Sequence, residues 1–366
     1  MGIGGLLPGG LATPATLVLA DRLESNLSGM SAFAAGAGVA LRPHAKTHKC
    51  PQIARRQMAL GARGLSVATV GEAESLAGRS GAVQAGPEVQ DIFIAYPLWP
   101  AGDLVTRLGE LAERVQVTVG TDSVAAAERL APLAGRVRVM VEVDCGLSRS
   151  GVQPAGAAGV AQAAQQAGLE VSGVFTFPGH SYAPGAAAAA AADEATALDQ
   201  AAAGLAAAGF RDVERSGGST PSARLARTGA LTELRPGVYA LNDAQQVELG
   251  TVSMDEVALM VAATVVSRPA PGRIVLDAGS KVLGPDRPAW ASGYGRLADW
   301  PDARITGLWE HHAVVSIDGS SPSLGDVVAV VPNHVCTAVN LVPELMVADS
   351  GHVIDRWPVA ARAANR

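Results

Sequence analysis

The chain has 366 residues, a hydrophobic fraction of 48% and a formal net charge of −6. Its length supports a large buried core and two domains, and its negative charge without a repeated Lys/Arg cluster argues against nucleic-acid and membrane-surface partners. Three dispersed cysteines, no signal-peptide pattern in residues 1–20 and no apolar run of membrane length predict a cytoplasmic protein. Small-molecule chemistry is therefore favoured.

Short β-branched runs alternate with Ala-rich helical stretches over the first two-thirds of the chain, which is typical of parallel strands joined by crossover helices. The predicted strands are 39–45, 64–68, 91–95, 115–119, 137–143, 171–177, 212–215 and 234–241. The predicted helices are 51–60, 71–78, 101–114, 123–133, 154–167 and 186–208. Eight strand units predict an α/β TIM (β/α)8 barrel. A strand at 16–19 and a helix at 21–36, with Asp21 as its N-cap, precede the barrel.

The sequence texture changes near residue 250, where Pro/Gly turns separate β-branched runs with little helix between them. The predicted strands are 257–268, 273–277, 313–317, 326–331 and 345–348. We therefore predict a barrel over residues 15–250 and a C-terminal β-domain over residues 251–366. Residues 1–14 are compatible with packing on that second domain.

Lysine is rare in this sequence, since Lys46, Lys49 and Lys281 are the only lysines among 28 basic residues. Arginine cannot replace a lysine that must lose its proton to act as a nucleophile. Lys46 follows the first barrel strand, and alternation puts it on the interior side with Arg42 and His44. Desolvation there favours the neutral amine that attacks carbonyl groups. The alternative is a surface lysine retained by chance.

The other predicted strand ends are also polar. They comprise Thr69, Tyr96, Glu142-Val143-Asp144 with Arg149, Gly179-His180-Ser181-Tyr182, Ser216-Gly217-Gly218-Ser219-Thr220, and Tyr239 with Asn242-Asp243. In the 216–220 turn, glycines let backbone N–H groups approach a phosphate and hydroxyls add donors. With a desolvated lysine, this turn predicts an aldehyde that carries a phosphate, pyridoxal phosphate (PLP). We expect His44 and Tyr239 to contact the same cofactor.

A second cluster of polar residues follows residue 331. In an extended segment, His334 and Cys336 point to the same side and offer an imidazole and a thiolate to Zn²⁺. Two ligands make an incomplete site, and spacing alone favours a packed histidine beside a buried cysteine. His311 and His312 are explained equally well as polar residues at the start of a strand.

Several of these motifs occur together in a known family. The run Arg42-Pro43-His44-Ala45-Lys46-Thr47-His48-Lys49, with Glu142-Val143-Asp144, the 216–220 turn and His334-Val335-Cys336, resembles the D-serine dehydratase / D-threonine aldolase family from about Thr13 to Trp357. The resemblance implies the alanine-racemase-like fold of fold-type III PLP enzymes. It also implies a homodimer that binds a divalent metal and acts on a small D-amino acid.

The resemblance further implies roles for individual residues. Lys46 would form the Schiff base with PLP, Arg149 would face the pyridine nitrogen, and the 216–220 turn would hold the phosphate. His334 and Cys336 would bind the metal, with Zn as the first expectation and Mn or Mg as alternatives. An arginine at the ring nitrogen keeps that nitrogen unprotonated, so the ring would be a weaker electron sink. A metal on the substrate β-hydroxyl would then contribute more to the reaction.

The details of the motifs predict the reaction. Aldolases of the group usually carry His-X-Asp at the metal site and dehydratases carry His-X-Cys, so His334 and Cys336 favour β-elimination from a D-3-hydroxy amino acid such as D-serine, giving a keto acid and ammonia. The alternative is D-threonine aldolase cleavage, with His180 or a metal-bound water as the base at the β-hydroxyl. The family tyrosine after strand 6 is Phe177 here, which leaves the preferred substrate open.

Two further functions use the same barrel and lysine. An amino-acid racemase needs a second base on the opposite face and no metal. A non-catalytic PLP carrier normally lacks a C-terminal β-domain, so the predicted second domain argues against it.

Overall fold

The computed structural model describes residues 3–78, 89–227 and 229–366. The chain divides into two compact units. The β unit comprises Met1–Ser28, Thr47–Pro51 and Val238–Arg362, and the barrel unit comprises Gly29–Lys46, Gln52–Gly237 and Ala363–Arg366. The first 28 residues thus belong to the β unit, including a strand that the predicted 15–250 boundary places with the barrel.

Seventeen strands lie in the described residues and are numbered in chain order. The first is β1 (Ala15–Leu19). Eight form the barrel unit's sheet: β2 (Ala40–Leu41), β3 (Leu65–Val67), β4 (Asp91–Pro97), β5 (Gln116–Thr121), β6 (Val137–Glu142), β7 (Glu170–Phe175), β8 (Glu214–Gly217) and β9 (Glu233–Leu234). The others are β10 (Leu259–Ala270), β11 (Arg273–Leu276), β12 (Gly295–Leu297), β13 (Arg304–Leu308), β14 (Ala313–Ser316), β15 (Val327–Pro332), β16 (Glu344–Asp349) and β17 (His352–Pro358).

Ten α-helices lie in the described residues. They are α1 (Ala20–Gly36), α2 (Pro51–Ala59), α3 (Val70–Leu76), α4 (Leu104–Ala112), α5 (Val124–Arg129), α6 (Ala157–Gln166), α7 (Ala187–Ala207), α8 (Ala244–Glu248), α9 (Ser280–Leu283) and α10 (Val335–Leu341). Helix α1 begins at Ala20, directly after β1, so Asp21 lies in its first turn and is not the predicted N-cap. Among the described residues, no helix is long and apolar enough to cross a membrane.

The eight strands of the barrel unit are all parallel and follow the order β2-β9-β8-β7-β6-β5-β4-β3. The backbone N–H of Ala45 donates to the carbonyl of Ser66 at 2.8 Å, and that of Ser66 donates to the carbonyl of Pro43 at 2.9 Å. These bonds join the two end strands of the sheet. The predicted (β/α)8 barrel is therefore confirmed.

The first and last predicted barrel strands are shorter than expected. Strand β2 stops at Leu41 instead of residue 45, and β9 stops at Leu234 instead of residue 241. Pro43 and Pro236 have no N–H with which to continue a ladder. Beyond Pro236 the chain turns into a 3₁₀ helix at Val238–Ala240.

The barrel interior combines apolar and charged side chains. Phe93 and Phe175 pack edge to face with ring centroids 4.9 Å apart, and Met140 packs with them. Two residues before Phe93, the carboxylate of Asp91 accepts a hydrogen bond from Arg42 at 2.8 Å. Arg42 also donates to Glu233 at 2.7 Å, and its side chain is only 3% exposed. Removing one partner of a buried ion pair lowers the free energy of unfolding by about 3–5 kcal/mol, because the other charge is left buried without compensation. The predicted inward direction of Arg42 is confirmed.

The β unit contains a nine-stranded sheet with the order β13-β14-β11-β10-β1-β16-β17, and β15 pairs with β10 and β12. Strand β1 is antiparallel to β10 and parallel to β16, so it lies in this sheet and not in the barrel. The sequence analysis did not predict β12, β13 and β17. The first has only three residues, and the second is interrupted by a register shift between Ile305 and Gly307.

Candidate active site

In the barrel unit, two cations lie near one aromatic ring. Lys46 Nζ is 5.7 Å from the ring centroid of Phe177, and Arg149 Cζ is 5.3 Å from the same centroid. Lys46 follows β2, Arg149 follows β6 and Phe177 follows β7. Cations within about 6 Å of an aromatic centroid are attracted by the ring quadrupole. The structure thus brings Lys46 and Arg149 to the same ring, at the C-terminal side of the barrel strands.

The three lysines have different environments. Lys281 is exposed and pairs with Glu310 at 3.1 Å, and Lys49 donates to Asn340 at 2.8 Å. Lys46 is half-buried and, among the described residues, forms no hydrogen bond or ion pair. Its amine is therefore available to a ligand.

His180 lies in the 3₁₀ helix Gly179–Tyr182 that follows β7. Its Nε2 is 3.2 Å from Oδ2 of Asp193 on α7. Its Nδ1 is buried and has no hydrogen-bond partner among the described residues. One ring nitrogen is thus held by a carboxylate and the other is available, an arrangement suited to proton transfer.

The 216–220 turn begins with the last two residues of β8, and its three hydroxyl-bearing residues are buried. Ser219 Oγ lies 2.7 Å from Ser181 Oγ and 2.8 Å from Ser222 Oγ. Two donors of the turn already have protein partners, because Ser216 Oγ donates to Glu233 at 2.6 Å and the N–H of Gly218 donates to Glu194 at 2.6 Å.

The remaining predicted cofactor residues are all buried. His44, Thr220 and Tyr239 are 9%, 5% and 4% exposed. The backbone N–H of His44 donates to Pro236 at 3.0 Å, which fixes the segment that leads to Lys46. Tyr239 lies in the 3₁₀ helix Val238–Ala240 and belongs to the β unit. An available amine, a charged guanidinium, an aromatic ring and a hydroxyl-rich glycine turn fit a phosphorylated aldehyde such as PLP.

In the β unit, an imidazole lies between two acidic groups. His334 Nδ1 is 2.6 Å from Oδ2 of Asp286, and the Thr337 hydroxyl donates to the same oxygen at 2.6 Å. Cys336 Sγ lies 3.3 Å from Thr47 Oγ1. Although burial by itself lowers the pKa of His334, the charges and hydrogen bonds of Cys336 and Asp286 raise it to about 11. The cluster therefore favours positive charge at its centre.

The segment around His334 is not extended as predicted, because helix α10 begins at Val335. The buried carboxylate of Asp243 causes this change. It accepts from the backbone N–H of Val335 at 3.1 Å and from that of Gln246 at 3.0 Å, so it holds the first turns of both α10 and α8. His334 keeps extended backbone angles immediately before the helix. Cys336 lies close enough to raise the pKa of this imidazole, so the two residues do come together.

The fit of this cluster to a metal depends on its donor atoms. No group of three or more His, Cys, Asp or Glu side chains within the described ranges is arranged to hold an ion. His334 and Cys336 would thus supply two ligands of an open site, and a nitrogen with a sulfur suits Zn²⁺. Metal-binding histidines commonly donate their other N–H to a carboxylate, as Nδ1 does here to Asp286. The donor set therefore fits a divalent cation through Nε2 and Sγ.

Sequence reasoning missed the residues that support these groups. Asp193, Glu194 and Asp286 contact His180, Gly218 and His334 respectively. They lie in a helix or a loop, and no spacing pattern links them to their partners. Phe177 was noticed only as a departure from the family motif, and its contact with both cations is new.

His311 and His312 are exposed and precede β14, which begins at Ala313. The prediction that they are ordinary polar residues at a strand start agrees with this position.

Two family models match consecutive parts of the chain. Residues 18–245 match "Alanine racemase, N-terminal domain", and residues 258–348 match "Putative serine dehydratase domain". Together they cover most of both units.

Two relatives match almost the whole chain. A D-threonine aldolase from Arthrobacter sp. is 34% identical over 97% of this chain and 93% of its own length. A D-threo-3-hydroxyaspartate dehydratase from Delftia sp. is 32% identical over 95% of this chain and 97% of its own length. A solved structure of a mutant D-threo-3-hydroxyaspartate dehydratase in the metal-free form aligns with a TM-score of 0.85 and 31% identity, covering 95% of this chain and 97% of that one.

Proposed function

Because this chain belongs to the D-serine dehydratase / D-threonine aldolase family of PLP-dependent lyases, we propose that it removes the β-hydroxyl of a D-3-hydroxy amino acid. The products from D-serine are pyruvate and ammonia. The pairing of His334 with Cys336, in the form that the dehydratases carry, is the observation that supports dehydration. The placement of Lys46 and Arg149 near one aromatic ring supports PLP as the cofactor.

When bound, PLP supplies an electron sink for negative charge at the substrate Cα. Lys46 has an amine without competing hydrogen bonds among the described residues, so its Nζ would hold the cofactor and would be the base for the Cα proton. Arg149 brings a guanidinium to the same aromatic ring as Lys46. Arg149 would hold the cofactor ring at its pyridine nitrogen, and the 216–220 turn would hold the phosphate.

A divalent cation held by His334 and Cys336 supplies Lewis acidity to a hydroxyl leaving group. Asp286 engages Nδ1 of His334 and so directs Nε2 to that cation. Thr47, which follows Lys46 in the sequence, lies against Cys336 Sγ and fixes the thiol rotamer. We propose Zn²⁺ as the cation, with Mn²⁺ and Mg²⁺ to be compared.

A specific observation also supports the aldolase reaction. Nδ1 of His180 is buried and unpaired among the described residues, which is what a base at a β-hydroxyl requires. Retro-aldol cleavage would then give glycine and an aldehyde. The metal pair favours dehydration over this second candidate.

A product assay separates the candidates. Protein loaded with PLP and Zn²⁺ is incubated with D-serine, D-threonine and D-threo-3-hydroxyaspartate, and keto acid, ammonia, glycine and aldehyde are measured. The proposal predicts equal amounts of keto acid and ammonia, and their loss on chelation. Glycine with aldehyde would identify the aldolase, metal-independent inversion at Cα a racemase, and no turnover of any substrate would refute the lyase.

We further propose a cytoplasmic homodimer without nucleic-acid or membrane partners. The net charge of −6 argues against nucleic-acid and anionic membrane partners. The two relatives that match almost the whole chain are enzymes named for small amino acids. The mass of the protein in solution, measured by light scattering, tests the dimer. A monomeric mass with full activity would contradict it.

A further inference from the structure

Glu194 on α7 is a buried carboxyl group that the proposed reaction does not use. The residue is 1% exposed, and its Oε1 accepts the N–H of Gly218 at 2.6 Å. Its Oε2 is buried without a hydrogen-bond partner among the described residues. An ionised carboxylate left half-unpaired in the interior carries a large desolvation cost. The proton state of Glu194 is therefore set by its surroundings.

The 216–220 turn is shaped around this carboxyl group. A Cβ at Gly217 would lie 2.3 Å from Oε1 of Glu194, so a side chain at this position would displace the carboxyl. Gly218 has φ +87, a left-handed conformation that glycine adopts without strain. The carboxyl therefore lies directly against the turn.

Two titratable groups from other elements face Glu194. The Arg235 guanidinium, which follows β9, is fully buried and favours the carboxylate, as does the Gly218 N–H. The Cys145 thiol, which follows β6, stays neutral because burial raises its pKa to about 12. Burial is the largest influence on Glu194 and raises its pKa to about 7. Both forms of Glu194 are thus accessible near neutral pH.

We propose that Glu194 couples phosphate binding in the 216–220 turn to the uptake of one proton. This inference rests on the proposed function, since it takes PLP as the cofactor and this turn as its phosphate site. A phosphate beside an enclosed carboxylate is repelled by the like charge, so the carboxyl binds a proton from solvent. The proton goes to Oε2, and Oε1 continues to accept the Gly218 N–H. No covalent bond changes apart from the new O–H.

The coupling has a definite sign. Below the pKa of about 7, Glu194 already carries its proton and phosphate binding requires no uptake. Above it, binding must bring in a proton, so the affinity for PLP falls as pH rises. The cofactor phosphate itself ionises near pH ~6, so the wild-type pH profile alone is not sufficient.

The experiment compares PLP with pyridoxal, which lacks the phosphate. Dissociation constants are measured on apoprotein for wild type and Glu194→Gln at about pH 6 and about pH 8.5, on either side of the pKa of about 7. Asp199→Asn, on the same helix with a side chain that is 42% exposed, is the charge-matched control. Glutamine keeps the acceptor for Gly218 and removes the charge.

We expect Glu194→Gln to bind PLP ~30-fold more tightly than wild type at the higher pH, because that pH lies about 1.5 units above the pKa of about 7 and the wild type must take up a whole proton. The two proteins should agree at the lower pH, and pyridoxal should not distinguish them. Calorimetry of the wild type in buffers with different ionisation enthalpies should show about one more proton taken up with PLP than with pyridoxal at the higher pH. This second measurement requires no variant to fold.

Equal proton uptake with PLP and pyridoxal in the wild type would overturn the inference while leaving the proposed function intact. Failure of the wild type to bind PLP at either pH would overturn the proposed function and this inference together.

Discussion

Two clusters of the molecule differ in the sign of their charges: cations surround Phe177, and acidic groups surround His334. In the barrel unit, Lys46 and Arg149 share one ring. In the β unit, Asp286 and Cys336 act on one imidazole, which is consequently favoured in its cationic form. The first arrangement suits an anionic cofactor and the second suits a cation. Each cluster can therefore be tested for its own ligand, separately from the reaction.

The largest expected effect is that of Lys46→Ala, which removes the nucleophile of the barrel cluster. Keto acid formation should fall by at least ~10³-fold, because cofactor attachment and the Cα base are lost together. The absorbance near ~420 nm that lysine-bound PLP gives should disappear. Lys49→Ala, whose amine bonds to Asn340, is the matched control and should keep the absorbance. An unchanged spectrum for Lys46→Ala would refute the assignment.

The corresponding change in the His334 cluster is Cys336→Ala. Losing one of two protein ligands should weaken Zn²⁺ binding by ~10²-fold or more, measured by competition with a chromogenic chelator. Cys145→Ala is the control, since burial raises the pKa of that thiol to about 12 and a protonated thiol is a poor ligand. Equal zinc affinity in wild type and Cys336→Ala would rule out the site.

A smaller effect is expected for Asp286→Asn, which keeps the size of the side chain and removes the charge that orients His334. Loss of such a supporting carboxylate typically weakens metal binding ~10–100-fold. The same chelator competition measures it. Asp255→Asn, whose side chain is 86% exposed, removes an equal charge from the β unit and should change nothing. If the two variants bind zinc alike, Asp286 has no orienting role.

Phe177→Ala should have the smallest effect. Each cation–π contact at an exposed site contributes ~0.5–1 kcal/mol, so the loss of two contacts should raise KM ~5–30-fold with little change in kcat. Phe33→Ala removes another cation–π contact of the barrel unit, with Arg224 at 5.1 Å, and should leave KM unchanged. A large fall in kcat would mean that the ring does more than place its two cations.

The sequence predicted best what is contiguous. Lys46 and the His334–Cys336 pair lie within short motifs, and the alternation that pointed Arg42 inward is a local property of one strand. The supporting carboxylates could not be found in this way, because Asp286 contacts His334 from a position 48 residues away in the sequence. The helical start at Val335 was missed for a related reason: the Asp243 carboxylate that caps it lies 92 positions away.

The most direct test of the account measures both ligands on both variants. We predict that Lys46→Ala loses the PLP absorbance and keeps zinc, that Cys336→Ala loses zinc and keeps the absorbance, and that both lose keto acid formation from D-serine. If Cys336→Ala kept full keto acid formation after zinc had been removed, the central claim of a metal-assisted dehydratase would be contradicted.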